Sequence, residues 1–307
     1  MPPIDVPTIW QASGAYSPLP INSYRKGYVF GFAHDGRALG DFQMGTVELV
    51  EPAYWSLAGL TPMAHFGRGG AAFSGNASTI LGETGNPSYT DYVGRVTLWD
   101  GDGSNPRVVT GLGDVASRPA AINAAGVYVG TSNPPQGPYI GRGFIGQDGT
   151  ATFMNYPGFN ILGGTDINDA GWLVGPHTED NFASIRGCIA KAFDAEIHDL
   201  GLLPGYPQGV LPQAINNAGV IVGTAFQGGT YARALYWPPG ATSPTDFNLM
   251  VNINDTLVEA MDINNAGQIL ARGFNGYYIF TPVPEPATAG LIALLAPAAA
   301  MFRRRGR

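Results

Sequence analysis

An all-β chain built on an internal repeat, followed by one apolar terminal helix, is the fold class this sequence predicts. Three observations carry it. The 307 residues include 44 Gly and 25 Pro, a density of helix breakers that long helices do not tolerate and that short strands joined by turns accommodate. A nine-residue pattern recurs at nearly constant spacing. Only 13% of residues are charged and 45% are apolar, so the chain can bury a core and is not disordered.

The pattern is clearest at Ile215-Asn216-Asn217-Ala218-Gly219-Val220-Ile221-Val222-Gly223. It recurs from Ile263-Asn264, Ile167-Asn168 and Ile122-Asn123. Two weaker copies are placed at Ile21-Asn22, with Gly27 and Gly31, and at 74–82, which keeps Ala77 and Gly82. Starts at 21, 74, 122, 167, 215 and 263 give spacings of 53, 48, 45, 48 and 48.

Each unit reads as strands and turns. Residues 212–215 alternate as a first strand, and Asn-Asn-Ala-Gly is a turn in which Asn and Gly accept positive φ. Val220-Ile221-Val222 is a β-branched second strand; the Gly after it ends the strand or admits a close neighbour. A third strand follows a basic residue, at Arg95, Arg142, Lys191-Ala192-Phe193 and Arg233. A fourth lies around His198-Asp199-Leu200-Gly201 and Asp246-Phe247-Asn248-Leu249. The repeated Asn123, Asn168, Asn216 and Asn264 are expected to bond the backbone of their own turns.

Four short antiparallel strands in roughly 48 residues match one blade of a β-propeller, and six registers predict six four-stranded blades over residues 1–281. The last unit ends on its third strand, Tyr277-Tyr278-Ile279-Phe280. Its fourth is expected from Pro7-Thr8-Ile9-Trp10-Gln11, which would close the ring and remove its exposed edges. A β-solenoid and packed sandwiches are the alternatives: the period is long for a solenoid coil, and sandwiches rarely show such self-similarity.

Residues 282–307 form a separate segment. Pro284-Glu285-Pro286 precedes an uncharged apolar run over 287–302, then Arg303, Arg304, Arg305 and Arg307. As a helix the run spans about 24 Å, a little under a bilayer core of about 30 Å, and arginine stems can snorkel to the interface. The arginines predict a cytoplasmic C-terminus with the body outside. The formal charge of −7 divides into about −11 for residues 1–286 and +4 for these arginines.

This tail resembles the PEP-CTERM sorting signal of bacterial exported proteins. The resemblance implies that Pro284, Glu285 and Pro286 are read by a membrane-embedded exosortase while Arg303, Arg304, Arg305 and Arg307 hold the chain in the inner membrane. It also implies delivery to the cell surface or beyond, often beside exopolysaccharide. Some catalogues label the same tail an ice-binding protein C-terminal domain, but the Thr residues follow no repeat register and give ice binding little support. The Ile-Asn-x-Ala-Gly-x-x-Val-Gly unit, with Asp199-Leu200-Gly201-Leu202-Leu203-Pro204-Gly205, is similar to the HAF repeat of extracellular bacterial proteins. That family carries no general catalytic assignment. Residues 1–7 lack the basic and apolar segments of a secretory signal, so the expectation is a start placed too late or a truncated form.

The acidic balance argues against nucleic acid as a partner. Cys188 has no second Cys to pair with and reads as a small core residue. No Gly-x-Ser-x-Gly elbow, Asp box or metal spacing occurs, and His34, His65, His177 and His198 read as isolated surface or turn residues. The segment Asp100-Gly101-Asp102-Gly103-Ser104-Asn105 opens like a calcium loop, but Gly111 occupies the position of the closing Glu, so it reads as a polar hairpin turn. No cofactor is expected; calcium held through other loops is the weak alternative.

Trp10, Trp55, Trp99, Trp172 and Trp237 read mostly as core filler, and loop Tyr89, Tyr92 and Tyr231 as candidates for stacking on sugar rings. The function expected is non-enzymatic binding or scaffolding at the cell surface, with extracellular polysaccharide as partner. The alternative is a secreted hydrolase or lyase using carboxylates at the central channel.

Overall fold

In the computed structural model, which describes residues 8–10, 16–18, 26–33, 35–43, 50–56, 59–66, 69–85, 94–113, 116–133, 141–178 and 185–282, the repeats fold into six successive antiparallel sheets. Sheet 1 runs Lys26–Phe32, Ala38–Gln43, Val50–Ser56, Gly59–Pro62. Sheet 2 runs Gly70–Gly75, Thr79–Gly85, Gly94–Asp100, Arg107–Val108, and sheet 3 Ser117–Ile122, Tyr128–Ser132, Arg142–Gln147, Thr150–Phe153. Sheet 4 begins with two short pieces, Asn160–Ile161 and Asp166–Ile167, both paired to Trp172–Thr178, then Arg186–Lys191 and Ile197–Asp199. Sheet 5 is Val210–Ile215, Ile221–Gln227, Thr230–Trp237, Thr245–Asp246. Sheet 6 is Leu257–Ile263, Ile269–Gly273, Tyr277–Phe280.

The fold is therefore all-β. The helical element among the described residues is a 3-10 turn, Phe247–Leu249, where a fourth strand was expected; the strand itself is Thr245–Asp246. No helix there is long and apolar enough to cross a membrane. The predicted membrane helix, the Pro284-Glu285-Pro286 motif and the four terminal arginines lie outside the described residues.

Consecutive sheets touch through their first strands, and the apolar core lies between them. Leu81, Val96 and Leu98 of sheet 2 meet Ile122, Tyr128 and Phe144 of sheet 3. Val174 and Leu200 of sheet 4 meet Val210, Leu235 and Trp237 of sheet 5. A meander buries one face against the preceding unit and the other against the next, which explains apolar residues on both faces of the second strands.

The turn hydrogen bonds fix the true register. In sheet 3 the Asn123 N–H donates to Val127 O and the Gly126 N–H to Asn123 O. The same pair of bonds recurs at Asn168, Asn216 and Asn264, and at Ala33, where the Ala33 N–H reaches Arg37 O and the Gly36 N–H reaches Ala33 O. The first unit's turn is thus 33–37, not the expected position near Ile21: Gly27 and Gly31 sit inside the strand Lys26–Phe32. In sheet 2 the turn residue is Asn76, one residue later than the reading from 74 implied. The first slip arises because the turn keeps its shape without its sequence, the second because the sheet 2 turn is one residue shorter, the Asn76 N–H reaching Thr79 O. Gly36, Gly126, Gly171, Gly219 and Gly267 hold the positive φ, between 77° and 83°.

The glycine after each second-strand β-branched run is a strand residue, not a strand end. A Cβ on Gly130 would lie 2.4 Å from Arg118 O, and one on Gly223 2.1 Å from Leu211 O. Each sits opposite a bulge in the first strand, between Pro119 and Ala121 or between Pro212 and Ala214, which brings two backbones together where only Gly fits.

The tryptophans also follow the register. Trp55, Trp99 and Trp237 sit opposite Ala38, Ile80 and Ile221 on the third strands and are fully buried. Trp99 Nε1 donates to Ala64 O of sheet 1, and Trp237 Nε1 to Leu200 O of sheet 4, each in the carbonyl stretch after the previous sheet's last strand. Trp55 Nε1, in sheet 1, is buried with no acceptor among the described residues.

Two further expectations are corrected. Thr8–Trp10 does not complete sheet 6; it pairs with Tyr16–Pro18 in a separate two-stranded sheet. Sheet 6 therefore has three strands among the described residues. In sheet 4 the third strand is Arg186–Lys191, and Ala192-Phe193 forms the turn after it, with Phe193 at φ 58°.

Candidate functional site

The repeated asparagines do more than cap their own turns. Asn123 Oδ1 accepts from the Val127 N–H (3.0 Å) as expected, while Asn123 Nδ2 donates to Asn168 O of the next sheet (3.0 Å). Asn76 reaches Asn123 O (3.0 Å), Asn168 reaches Asn216 O (3.1 Å) and Asn216 reaches Asn264 O (3.3 Å). The first four are buried, so each amide satisfies buried backbone on both sides. Beside this ladder runs an exposed one, in which the Ala124, Asp169 and Asn217 N–H groups donate to Asp169, Asn217 and Asn265 side chains. These asparagines fasten one sheet to the next.

The basic residue and the Asp of the repeat also meet. Arg186 binds Asp199 through Nε (2.7 Å) and Nη2 (2.9 Å), and Arg233 binds Asp246 (3.3 Å). Asp199 additionally accepts from the Gly201 N–H (2.6 Å) and pairs with His177 Nε2 (3.0 Å). Burial alone would raise the Asp199 carboxyl, but the His177, Arg186 and Gly201 bonds outweigh it and hold it well below the usual carboxylate range. His177 is thus not a surface histidine. It is fully buried, its ring 4.8 Å from Phe159, and it shares Asp199 with Arg186.

The other histidines stand apart: His65 lies 3.8 Å from Glu51, exposed His198 lies 3.2 Å from Glu196, and His34 lies outside the described residues. Among the described residues no group of three His, Cys, Asp or Glu is placed to hold a metal. The Asp100 segment is the polar hairpin turn expected. Its carboxylate is occupied by Asn105 Nδ2 (2.6 Å) and Arg107 Nη1 (2.7 Å), while Asp102 accepts from the Ser104 N–H (2.9 Å) and hydroxyl (2.6 Å). Cys188 is a fully buried core thiol donating to Gly175 O (3.3 Å), with burial pushing its pKa up.

Three carboxyls are raised. Burial, with Glu83 adding its charge, pushes Asp41 up to about 7, and Asp41 Oδ1 has no partner among the described residues. Burial, with Asp262 adding its charge, pushes Asp166 up to about 7 even though it accepts from the Ile167 and Ile215 N–H groups (both 2.8 Å). Asp262 is raised for the same desolvation reason. Asp166 and Asp262 hold the same register, two residues before the turn Asn, on the first strands of sheets 4 and 6.

Openings remain among the described residues. A cleft of about 500 Å³ between sheets 4 and 5 is floored by Trp172, Ile189, Leu200 and Ile221. A groove of about 550 Å³ between the hairpin ends of sheets 5 and 6 is lined by Thr230, Tyr231, Val258, Arg272 and Phe274. Tyr231 is thus the one sugar-stacking candidate found at an opening; Tyr89 and Tyr92 lie outside the described residues.

No family model matches the chain, and no curated protein matches it. Solved structures similar to it include the following two. One is XC5397, a gluconolactonase from Xanthomonas campestris, at 12% identity over 90% of this chain and 95% of that one, with a TM-score of 0.44. The other is the Dos1 propeller, at 10% identity over 89% of this chain and 72% of that one, with a TM-score of 0.47. The functional reading therefore rests on this chain's own residues.

Reading the sequence alone missed the forward reach of the asparagine amides and the Arg–Asp clasp. A signal for the second was present, since Arg186 and Asp199 stand as far apart in sequence as Arg233 and Asp246 do. Arg272 gave no such signal, because its role comes from a departure from the repeat.

Proposed function

We propose that this chain is an exported, non-enzymatic binding or scaffolding protein of the cell surface. Its six meanders form a β-propeller body, and its partner after sorting is extracellular polysaccharide. The tail that resembles a PEP-CTERM signal is read by an exosortase at Pro284, Glu285 and Pro286. Arg303, Arg304, Arg305 and Arg307 anchor an inner-membrane intermediate before delivery to the surface or beyond. The observation that supports binding over catalysis is the engagement of the repeated polar side chains. The asparagines join sheets, and Asp199 and Asp246 hold arginines, while an aromatic and polar groove stays accessible. The test is fractionation of cells expressing the intact chain or a form lacking 282–307, each fused to a reporter. The intact chain is expected in membrane and surface fractions; equal retention of the shortened form would overturn the reading.

A second reading, a secreted polysaccharide hydrolase or lyase, has one observation in its favour: the raised carboxyls of Asp166 and Asp262 at one register of the first strands. A protonated acid near neutral pH is what glycosidic cleavage requires. New reducing ends or unsaturated products released from polysaccharide, and lost in Asp166→Asn and Asp262→Asn, would decide for it.

A further inference from the structure

Sheet 6 breaks the repeat at one place. The position that is Asp41, Glu83, Thr131, Pro176 and Thr224 in the other sheets is Arg272, and the glycine before it becomes Ala271. Opposite Arg272 stands Glu259. Arg272 Nε donates to Glu259 Oε2 (2.9 Å), and Glu259 Oε1 accepts from Gln213 Nε2 of sheet 5 (3.3 Å). Glu259 is 8% exposed. A buried carboxylate held from both sides thus fixes the guanidinium, while the two terminal nitrogens of Arg272 bond none of the described residues. Departures from local regularity are where function is expected.

The surroundings are aromatic. Tyr231 lies with its ring centroid 5.7 Å from the Arg272 guanidinium carbon and is backed by Phe226 at 5.4 Å. Tyr231 is 37% exposed, and Phe274, at the next hairpin end, is 75% exposed. The groove of about 550 Å³ falls in the range of small-molecule sites, roughly 300–1,000 Å³. A fixed guanidinium with its outer edge free suits a carboxylate taken by two parallel N–H bonds. Flanking rings suit the apolar C–H face of a pyranose. We infer that this groove binds a carboxylated sugar, a uronic acid within a polysaccharide. The inference rests on the binding reading above and supplies its ligand class. An acidic peptide would use the cation but leave both rings uncovered. The body is otherwise acidic, so attraction to a polyanion is local and sensitive to salt.

The test is calorimetric titration of the full-length chain in detergent micelles with trigalacturonic acid, with neutral maltotriose and triglutamate as comparisons. Trigalacturonic acid is expected to bind about tenfold more tightly than maltotriose and to weaken in 0.5 M salt. Arg272→Gln is expected to cost about tenfold or more. Phe274→Ala, whose side chain is exposed and leaves the fold intact, is expected to weaken binding without removing the preference for acid over neutral sugar. Equal binding of maltotriose or triglutamate, or no effect of Phe274→Ala and Arg272→Gln, overturns the inference. Failure to bind any sugar while retention still requires 282–307 would remove the ligand class and leave the export reading standing.

Discussion

Replacing Asn168 by Ala tests the claim that the asparagine ladder carries the stacking of sheets. The side chain accepts from the Trp172 N–H (2.9 Å) and donates to Asn216 O (3.1 Å), and it is 4% exposed. Its loss strips the Trp172 N–H of that acceptor, at about 1–3 kcal/mol for a buried unsatisfied group. Asn216 O keeps its bond from the Gly219 N–H, so the second loss adds only about 1 kcal/mol. The sum is about 2–4 kcal/mol. Asn264→Ala is the control: that side chain is exposed and donates to Gln268 Oε1 of its own turn, so its loss should cost about 1 kcal/mol or less. Urea unfolding followed by tryptophan fluorescence, with equal slopes for both variants, gives the difference. Equal midpoints for Asn168→Ala and Asn264→Ala would refute the assignment of stacking energy to the ladder.

Three other outcomes follow from the same geometry. Gly223→Ala, whose Cβ would lie 2.1 Å from Leu211 O, should lose about 2 kcal/mol or more, while Gly276→Ala, with nothing within 4 Å, should change stability by under about 0.5 kcal/mol; thermal unfolding of the pair checks this. Because Asp166 is raised to about 7, the folded chain keeps a proton that the unfolded chain releases near pH 4, so stability falls as pH rises from about 4 to about 7. Asp166→Asn should flatten that fall, leaving the part due to Asp41 and Asp262, and an unchanged slope between pH 5 and 8 would count against it. Asp199 has the opposite sign. Its lowered pKa contributes stability above about pH 4 that is lost as pH falls through the acid range. Asp199→Ala, which takes the carboxylate away from buried His177 and from Arg186, should cost about 2–4 kcal/mol near neutral pH and much less in acid.

Much of this architecture was legible because a repeat repeats its physics. The Asn-x-Ala-Gly turns, the β-branched second strands and the third strands at Arg95, Arg142 and Arg233 all stand where the pattern put them. What failed did so where sequence and geometry separate. The turn closed by the Ala33 N–H on Arg37 O carries the same pair of bonds as that from Asn123 to Val127 with only its Gly in common, so matching letters led instead to Ile21. Asp246 starts a 3-10 turn because its carboxylate caps the Asn248 N–H (2.9 Å), a local bond that outcompetes strand pairing. The strand expected to finish sheet 6 found a partner nearer in sequence, at Tyr16–Pro18. The groove was half legible: Tyr231 stood out as a loop aromatic, but the meaning of Arg272 needs Glu259 and Gln213, which only the tertiary register brings beside it.

The ladder has a direction. Every amide from Asn76 to Asn216 reaches forward to the following unit, and what it meets there is a main-chain carbonyl, which any residue supplies. A unit therefore needs only its own Asn to be joined to whatever comes next, and makes no demand on the side chains of its successor. Whole units can be duplicated or deleted between Asn76 and Asn264 without any new matched pair of side chains having to arise in that clasp. Such a chain can change the number of its units faster than it can change their design, and its variety comes from decorating single units, as sheet 6 does with Arg272.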